Sequence, residues 1–141
     1  MSLGHTFTGG FILEKIRRDY KNIYPSSPIS TRGLRVGNML FISGTTANKS
    51  EAECGPAMQQ LRVILDRIIR MVANEGGRPS DIVRLTTYVT EIADWFPVEG
   101  EQVEIFNELF GGQKPTNTIV EVSRLGSPGL VIEIEATAVL D

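Results

Sequence analysis

The chain has 141 residues, 41% of them hydrophobic, and a formal net charge of −3. That length suits one domain with a packed core, and an acidic balance without a dense Lys/Arg run gives no long-range attraction to nucleic acid. A single cysteine, Cys54, excludes an internal disulfide, and a single histidine, His5, argues against a Ser-His-Asp triad or a His-ligated metal cluster.

No apolar run is long enough to span a bilayer and the N-terminus lacks a secretory pattern, so no membrane partner is expected. The lone cysteine fits a reducing, cytoplasmic setting. Neither a metal nor a cofactor is expected.

The Gly4–Gly10 leader, GHTFTGG, is flexible in composition. Phe11 to Ile23 carries apolar residues at roughly helical spacing and reads as a short helix or an extended arm; residues 1–29 are therefore set apart from a domain over 30–141. Tyr24-Pro25-Ser26-Ser27-Pro28 ends that segment. Ser30–Val36 and Met39–Ser43, joined by Gly37-Asn38, read as a hairpin. Ala47–Gly55 is a polar loop. Pro56–Glu75 is the strongest helix, with Pro56 at its start, Gly76-Gly77 at its stop and one stripe of Leu61, Ile64, Leu65, Ile68, Met71 and Val72.

Ile82–Thr90 reads as a strand with Val83, Leu85, Thr87 and Val89 on one side and Arg84, Thr86, Tyr88 and Thr90 on the other. Trp95–Phe110 reads as a second helix, ended by Gly111-Gly112. The chain closes on two strand-like runs, Asn117–Val122 and Leu130–Val139, joined by the Arg124–Gly129 turn residues. In the last run Leu130, Ile132, Ile134, Ala136 and Ala138 alternate with Val131, Glu133, Glu135, Thr137 and Val139.

Two amphipathic helices cover one face of such a sheet. The other face is expected to carry Arg84, Tyr88, Asn117, Glu121, Glu133 and Glu135. Such a face is exposed, paired across an interface, or a site. Self-association as a closed ring or another symmetric oligomer is the economical answer.

Four blocks then carry a resemblance. Gly37–Gly44 (GNMLFISG), Asp81–Thr90 (DIVRLTTYVT), Val120–Leu125 (VEVSRL) and Ile132–Ala136 (IEIEA) resemble, in order and spacing, the RidA family, also called YjgF or L-PSP. The resemblance runs from about Ser30 to Val139. It implies an α+β, chorismate-mutase-like subunit: a mixed sheet with two helices on one face, assembled as a homotrimer with three clefts between subunits.

The activity it implies is hydrolysis of reactive enamines and imines to 2-keto acids and ammonia. The family grips the substrate carboxylate with an arginine two residues after a proline, through paired hydrogen bonds. Here Pro115 and Val120-Glu121-Val122 fix the register, and Asn117 stands in the arginine's place. A tyrosine common near the first strand is also missing from its position, where Ile29 or Ser30 stands, and the loop before the first helix is shorter. What matches is Ser43, Gly44, Tyr88, Ile119 and Glu133, the last in the place of the glutamate proposed to position or activate water. The resemblance thus makes Glu133 the catalytic candidate, with Asn117, Ser43, Gly44, Tyr88 and Ile119 binding a small molecule.

The plainer readings stand beside these. Glu133 is a structural, interface-paired acid, or pairs with Arg84; Glu121 and Glu135 are partners for Arg84 and Arg124. Cys54 is an exposed bystander, and Trp95 and Phe96 anchor the second helix. Three functions follow: a metabolite-binding trimer with weak 2-imino acid hydrolysis, a non-catalytic ligand-binding or regulatory trimer, and an endoribonuclease or translation inhibitor. Charge and the lack of an aromatic-basic strip argue against the third, so no nucleic acid partner is expected.

Overall fold

The computed structural model describes residues 12–141. The Gly4–Gly10 leader, His5 and Phe11 lie outside the described residues. The chain runs through β1 (Lys15–Arg18), β2 (Gly33–Val36), β3 (Met39–Thr45), α1 (Ala57–Asn74), β4 (Ile82–Val89), α2 (Glu101–Phe110), β5 (Thr116–Glu121) and β6 (Ile132–Val139). The six strands form one sheet in the order β1-β2-β3-β6-β4-β5. All neighbours are antiparallel except β4 and β5, which lie parallel with α2 as their crossover. The mixed α+β fold is therefore as expected.

The stripe of α1 drives its packing. Leu61, Ile64, Leu65, Ile68, Met71 and Val72 recur three and four apart, and all are buried. Each buried side chain of this size contributes about 1.5–3 kcal/mol. They meet Ile132, Ile134, Ala136 and Ala138 from β6 and Leu40 and Ile42 from β3. Pro56 sits one position before the first helical residue, and Gly76, at φ +87°, ends the helix.

Several expectations need correction. Lys15–Arg18 is not helical: of the two readings the extended one holds, and the segment pairs with β2 as an edge strand. The last two strands do not form a pair: they lie on opposite sides of β4, because β6 inserts between β3 and β4. The second helix begins at Glu101 rather than Trp95; Pro97 and Gly100 break the segment ahead of it, while Trp95 is buried as an anchor and Phe96 is exposed. Val83 points away from the core. A bulge between Ile82 and Arg84 puts one extra residue on β4, so Ile82 takes the buried position and Val83 is exposed.

The correction with most consequence concerns β5. Asn117 lies opposite Leu85, Ile119 opposite Thr87 and Glu121 opposite Val89. Leu85, Thr87 and Val89 are buried under the helices, so Asn117, Ile119 and Glu121 share the helix-covered face. The open face keeps Arg84, Tyr88, Glu133 and Glu135, with exposed Met39, Phe41, Val120 and Val139 beside them.

One buried ion cluster ties the first two strands to the end of α1. The Glu75 side chain is only 2% exposed and takes charged hydrogen bonds from Arg18 Nε at 3.0 Å and Arg35 Nη1 at 3.4 Å. The Tyr20 hydroxyl donates to the same carboxylate at 2.8 Å. Burial acts to raise the Glu75 pKa, but the bonds from Tyr20 and Arg18 outweigh it and hold it below the usual value of 4.5. A carboxylate depressed in this way stabilises the fold above its unfolded pKa, and that contribution is lost as pH falls through the folded value. Glu75→Ala is expected to destabilise by about 3 kcal/mol at neutral pH, whereas Arg18→Ala, whose own side chain is 40% exposed, costs about 1 kcal/mol or less. Thermal melts from pH 7 to 3 check both: the wild type loses its advantage over Glu75→Ala only below pH 4.5.

Candidate functional site

The matching residues fall into two groups on opposite faces of the sheet. The first group surrounds Glu133. Alternation along β6 turns its side chain away from the core, opposite Tyr88 of β4. The shift in β3–β6 pairing between Ile42 and Thr45 leaves Ser43 and Gly44 out of the ladder, beside Glu133. A Cβ built at Gly44 would overlap Oε2 of Glu133, so the absence of a side chain there gives the carboxylate its present place. Glu133 and Gly44 then share a pocket of about 340 Å³ with Tyr24, Thr46, Gly126, Ser127 and Leu130.

Arg32 supports this arrangement from behind. It is 8% exposed, and its Nη1 donates to the Gly44 carbonyl at 2.6 Å while its Nε donates to the Pro25 carbonyl at 3.1 Å. Burial pushes the Glu133 carboxyl above its usual pKa; Arg32 opposes that and Glu135 adds to it. No hydrogen bond to the Glu133 carboxylate is formed among the described residues. It is a half-buried acid with an inclination to hold a proton.

Tyr24 is the site residue that sequence reasoning missed. Its hydroxyl bonds Thr46 Oγ1 at 2.8 Å, and its ring stands against the guanidinium groups of Arg32 and Arg67. Tyr24 lies a few positions before Ile29 and Ser30, the region from which the family's tyrosine is missing. In the segment between Tyr24 and Arg32 the chain turns, with Ser27 and Ser30 bridged. The signal available was the tyrosine itself, next to a Pro/Ser turn.

The other residues of this face are already engaged. Ser43 Oγ donates to the Thr31 carbonyl at 2.7 Å. The Tyr88 hydroxyl donates to Glu135 at 2.7 Å, which raises the tyrosine pKa. Glu135 is thus partnered by Tyr88, and Glu121 accepts from the Ile92 amide at 2.9 Å. Among the described residues neither pairs with Arg84 or Arg124, and Glu133 does not pair with Arg84. Arg84 stands opposite Thr137, and the bulge beside it breaks the expected alignment with the acids. Cys54 is exposed, as expected.

The second group lies beyond the edge of the sheet, under α2. Asn117 and Ile119 line a pocket of about 430 Å³ with Phe96, Val98, Phe106 and Lys114. Asn117 Oδ1 accepts from Thr87 Oγ1 at 2.9 Å, which fixes the amide plane. Lys114 Nζ donates to the Gly111 carbonyl rather than to anything beside Asn117. This pocket is mostly apolar, with the amides of Asn117 and Gln102 and the Lys114 amine as its polar groups, and lacks a guanidinium fork for a carboxylate. Loop 126–131, which closes the Glu133 pocket, is pinned to α1 by the buried Gln60, whose amide donates to Gly129 O at 2.8 Å and accepts from the Val131 amide at 3.0 Å.

This frame recurs in known proteins. The family model described as Endoribonuclease L-PSP matches residues 20–140. The chain belongs to this family, the RidA/YjgF family. A RutC family protein of Pyrococcus horikoshii is 32% identical over 117 residues, covering 81% of this chain and 88% of that one. The 2-iminobutanoate/2-iminopropanoate deaminase of Escherichia coli is 33% identical over 110 residues, 77% of this chain and 84% of that one. A crystal structure of a YjgF/YER057c/UK114 family member from Mycobacterium tuberculosis superposes with a TM-score of 0.73 at 30% identity, over 90% of this chain and all of that one.

The fit of Glu133 over Gly44 gives a direct test. Gly44→Ala is expected to turn the carboxylate aside and lower stability by about 1 kcal/mol or less, because the atoms met are the far end of a flexible side chain. Glu133→Ala should relieve most of that cost when the two are combined. A double-mutant cycle by denaturant unfolding measures the coupling; additive costs would place the carboxylate away from Gly44.

Proposed function

We propose that this RidA-family chain works as a homotrimer with small-molecule sites in clefts between subunits, hydrolysing enamines or imines with Glu133 as the acid–base group. The observation that carries the proposal is the Glu133 carboxyl itself: half-buried, raised in pKa, unbonded among the described residues and open to a pocket. In the proposed step water adds to the C=N carbon. One of its protons passes to Glu133 and from there to nitrogen, giving a carbinolamine; the hydroxyl proton then takes the same route to nitrogen as the C–N bond breaks, releasing ammonia and leaving a carbonyl compound. Tyr24 forms one wall, and Gly44 with Arg32 behind it fixes the carboxylate in place.

Assembly is supported by the open sheet face. Met39, Phe41, Val120 and Val139 are each between 37% and 40% exposed there, an apolar surface with Tyr88–Glu135 among it. It is also supported by the separation of the two groups. Glu133 and Asn117 lie on opposite faces of the sheet in one subunit, so a cleft containing both needs two copies of the chain. Reactive-intermediate chemistry is supported by the similarity to the 2-iminobutanoate/2-iminopropanoate deaminase of Escherichia coli.

Short 2-imino acids are expected to be poor substrates. Asn117 is neutral, and a lost charged hydrogen bond costs roughly 1.5–3 kcal/mol. That single residue also favours a second reading, a trimer that binds its ligand without turning it over. Light scattering and ammonia release from freshly generated 2-aminoacrylate decide together. The expected result is a trimer with activity at least about tenfold below the Escherichia coli relative and no activity in Glu133→Gln. A stable monomer removes the cleft, ammonia release unchanged in Glu133→Gln removes its role, and no ammonia release at all favours the binding-only reading.

A further inference from the structure

A second pocket of about 450 Å³ lies next to the Glu133 pocket. It is lined by Tyr24, Ser26, Arg32, Asn48, Lys49 and Arg67, among others. Three of these side chains are cationic at neutral pH, and none of the lining residues is acidic. The guanidinium carbons of Arg32 and Arg67 lie 4.2 and 4.4 Å from the centroid of the Tyr24 ring. Stacking of that kind fixes a guanidinium plane but leaves its charge in place.

That charge is not cancelled elsewhere. Among the described residues neither arginine, nor Lys49, forms an ion pair. Arg32 donates to the carbonyls of Pro25 and Gly44, and Arg67 Nη1 donates to the Thr46 carbonyl at 2.6 Å. These neutral acceptors orient the groups without neutralising them. Asp19 and Glu133 near Arg32, and Asp66 near Arg67, act only through space. Buried guanidinium groups ordinarily pair with an acid. Here the side that faces the pocket lacks one.

Tyr24 and Asn48 line both this pocket and the Glu133 pocket, so the two adjoin. An α-carboxylate lies one bond from the reacting carbon and so stays in the Glu133 pocket, whose lining holds no cation. A carboxylate several bonds away has the reach to the cationic pocket. We infer that this chain selects acids whose carboxylate is remote from the carbon beside Glu133, and that Arg67 and Lys49, backed by Arg32, hold that remote group. The chain would thus compensate for Asn117 with an anchor of its own, matched to longer, diacid-like substrates. The inference rests on the proposed site for its Glu133 end and on the cationic pocket for the rest.

Two probes separate the alternatives: 2-oxoglutarate, which carries a remote carboxylate, and 2-oxobutanoate, which does not. Calorimetry on the wild-type protein is expected to give at least about tenfold tighter binding of 2-oxoglutarate. Arg67→Met and Lys49→Met should each remove most of that preference, while Arg62→Met, on an exposed pair with Glu101 and Glu108, keeps it. Lys49 makes no side-chain hydrogen bond among the described residues, so its variant reports on charge even where Arg67→Met weakens the fold. Equal affinity for the two acids, no binding of either at millimolar concentration, or a preference that survives Lys49→Met in a folded protein would overturn the anchor. Ammonia release is read separately. If it persists without the preference, only the anchor fails; if the preference persists without ammonia release, only the hydrolase reading fails.

Discussion

A missing side chain organises this protein's candidate chemistry. Gly44 leaves the space that the Glu133 carboxylate fills, and its carbonyl is the acceptor that holds the Arg32 guanidinium. One backbone position therefore sets an acid on one side and a cation on the other. Neither touches the other as an ion pair among the described residues, so the acid keeps the raised pKa that burial gives it, moderated by Arg32. Had they paired, the carboxylate would be held ionised and occupied. The strand irregularity after Ile42 makes this possible, because it takes Ser43 and Gly44 out of the ladder just where Glu133 passes.

The rest of the frame serves that position. The α1 stripe and the inner residues of β6 bury the sheet against the helix and so fix which β6 side chains point outward. Gln60 holds the loop that roofs the pocket. Glu75 ties β1 and β2 to the end of α1, and with them the segment that carries Tyr24 and Arg32. The helix-covered side ends in a separate apolar pocket around Asn117, and only association of copies brings the two pockets into one cleft under the proposed reading.

Strongly periodic elements were legible from sequence. The α1 stripe and the alternation of Leu130 to Val139 needed only spacing, because tertiary contacts agree with local preference there. Positions set by pairing were not. The face of Asn117 depends on the parallel register with β4, which spacing within β5 alone cannot reveal. Val83 was misplaced because a bulge is an extra residue with no marker in the pattern. Tyr24 escaped notice because its place depends on contacts with distant segments, Thr46 and Arg67 among them. Glu133 and Gly44 were legible as family positions, but their mutual fit was not, since it is a contact between strands far apart in the chain. The Arg32–Tyr24–Arg67 stack combines residues from three separated segments, and no local motif marks it.

The protonation of Glu133 is the central claim in measurable form. Carbon-detected NMR of the side-chain carboxyls, followed over pH in the folded protein, reads it without a substrate. The account predicts a Glu133 midpoint above the ordinary value of 4.5, rising further in Arg32→Met, where the opposing charge is gone. A midpoint at or below 4.5, or one indifferent to Arg32 in a folded variant, would contradict it.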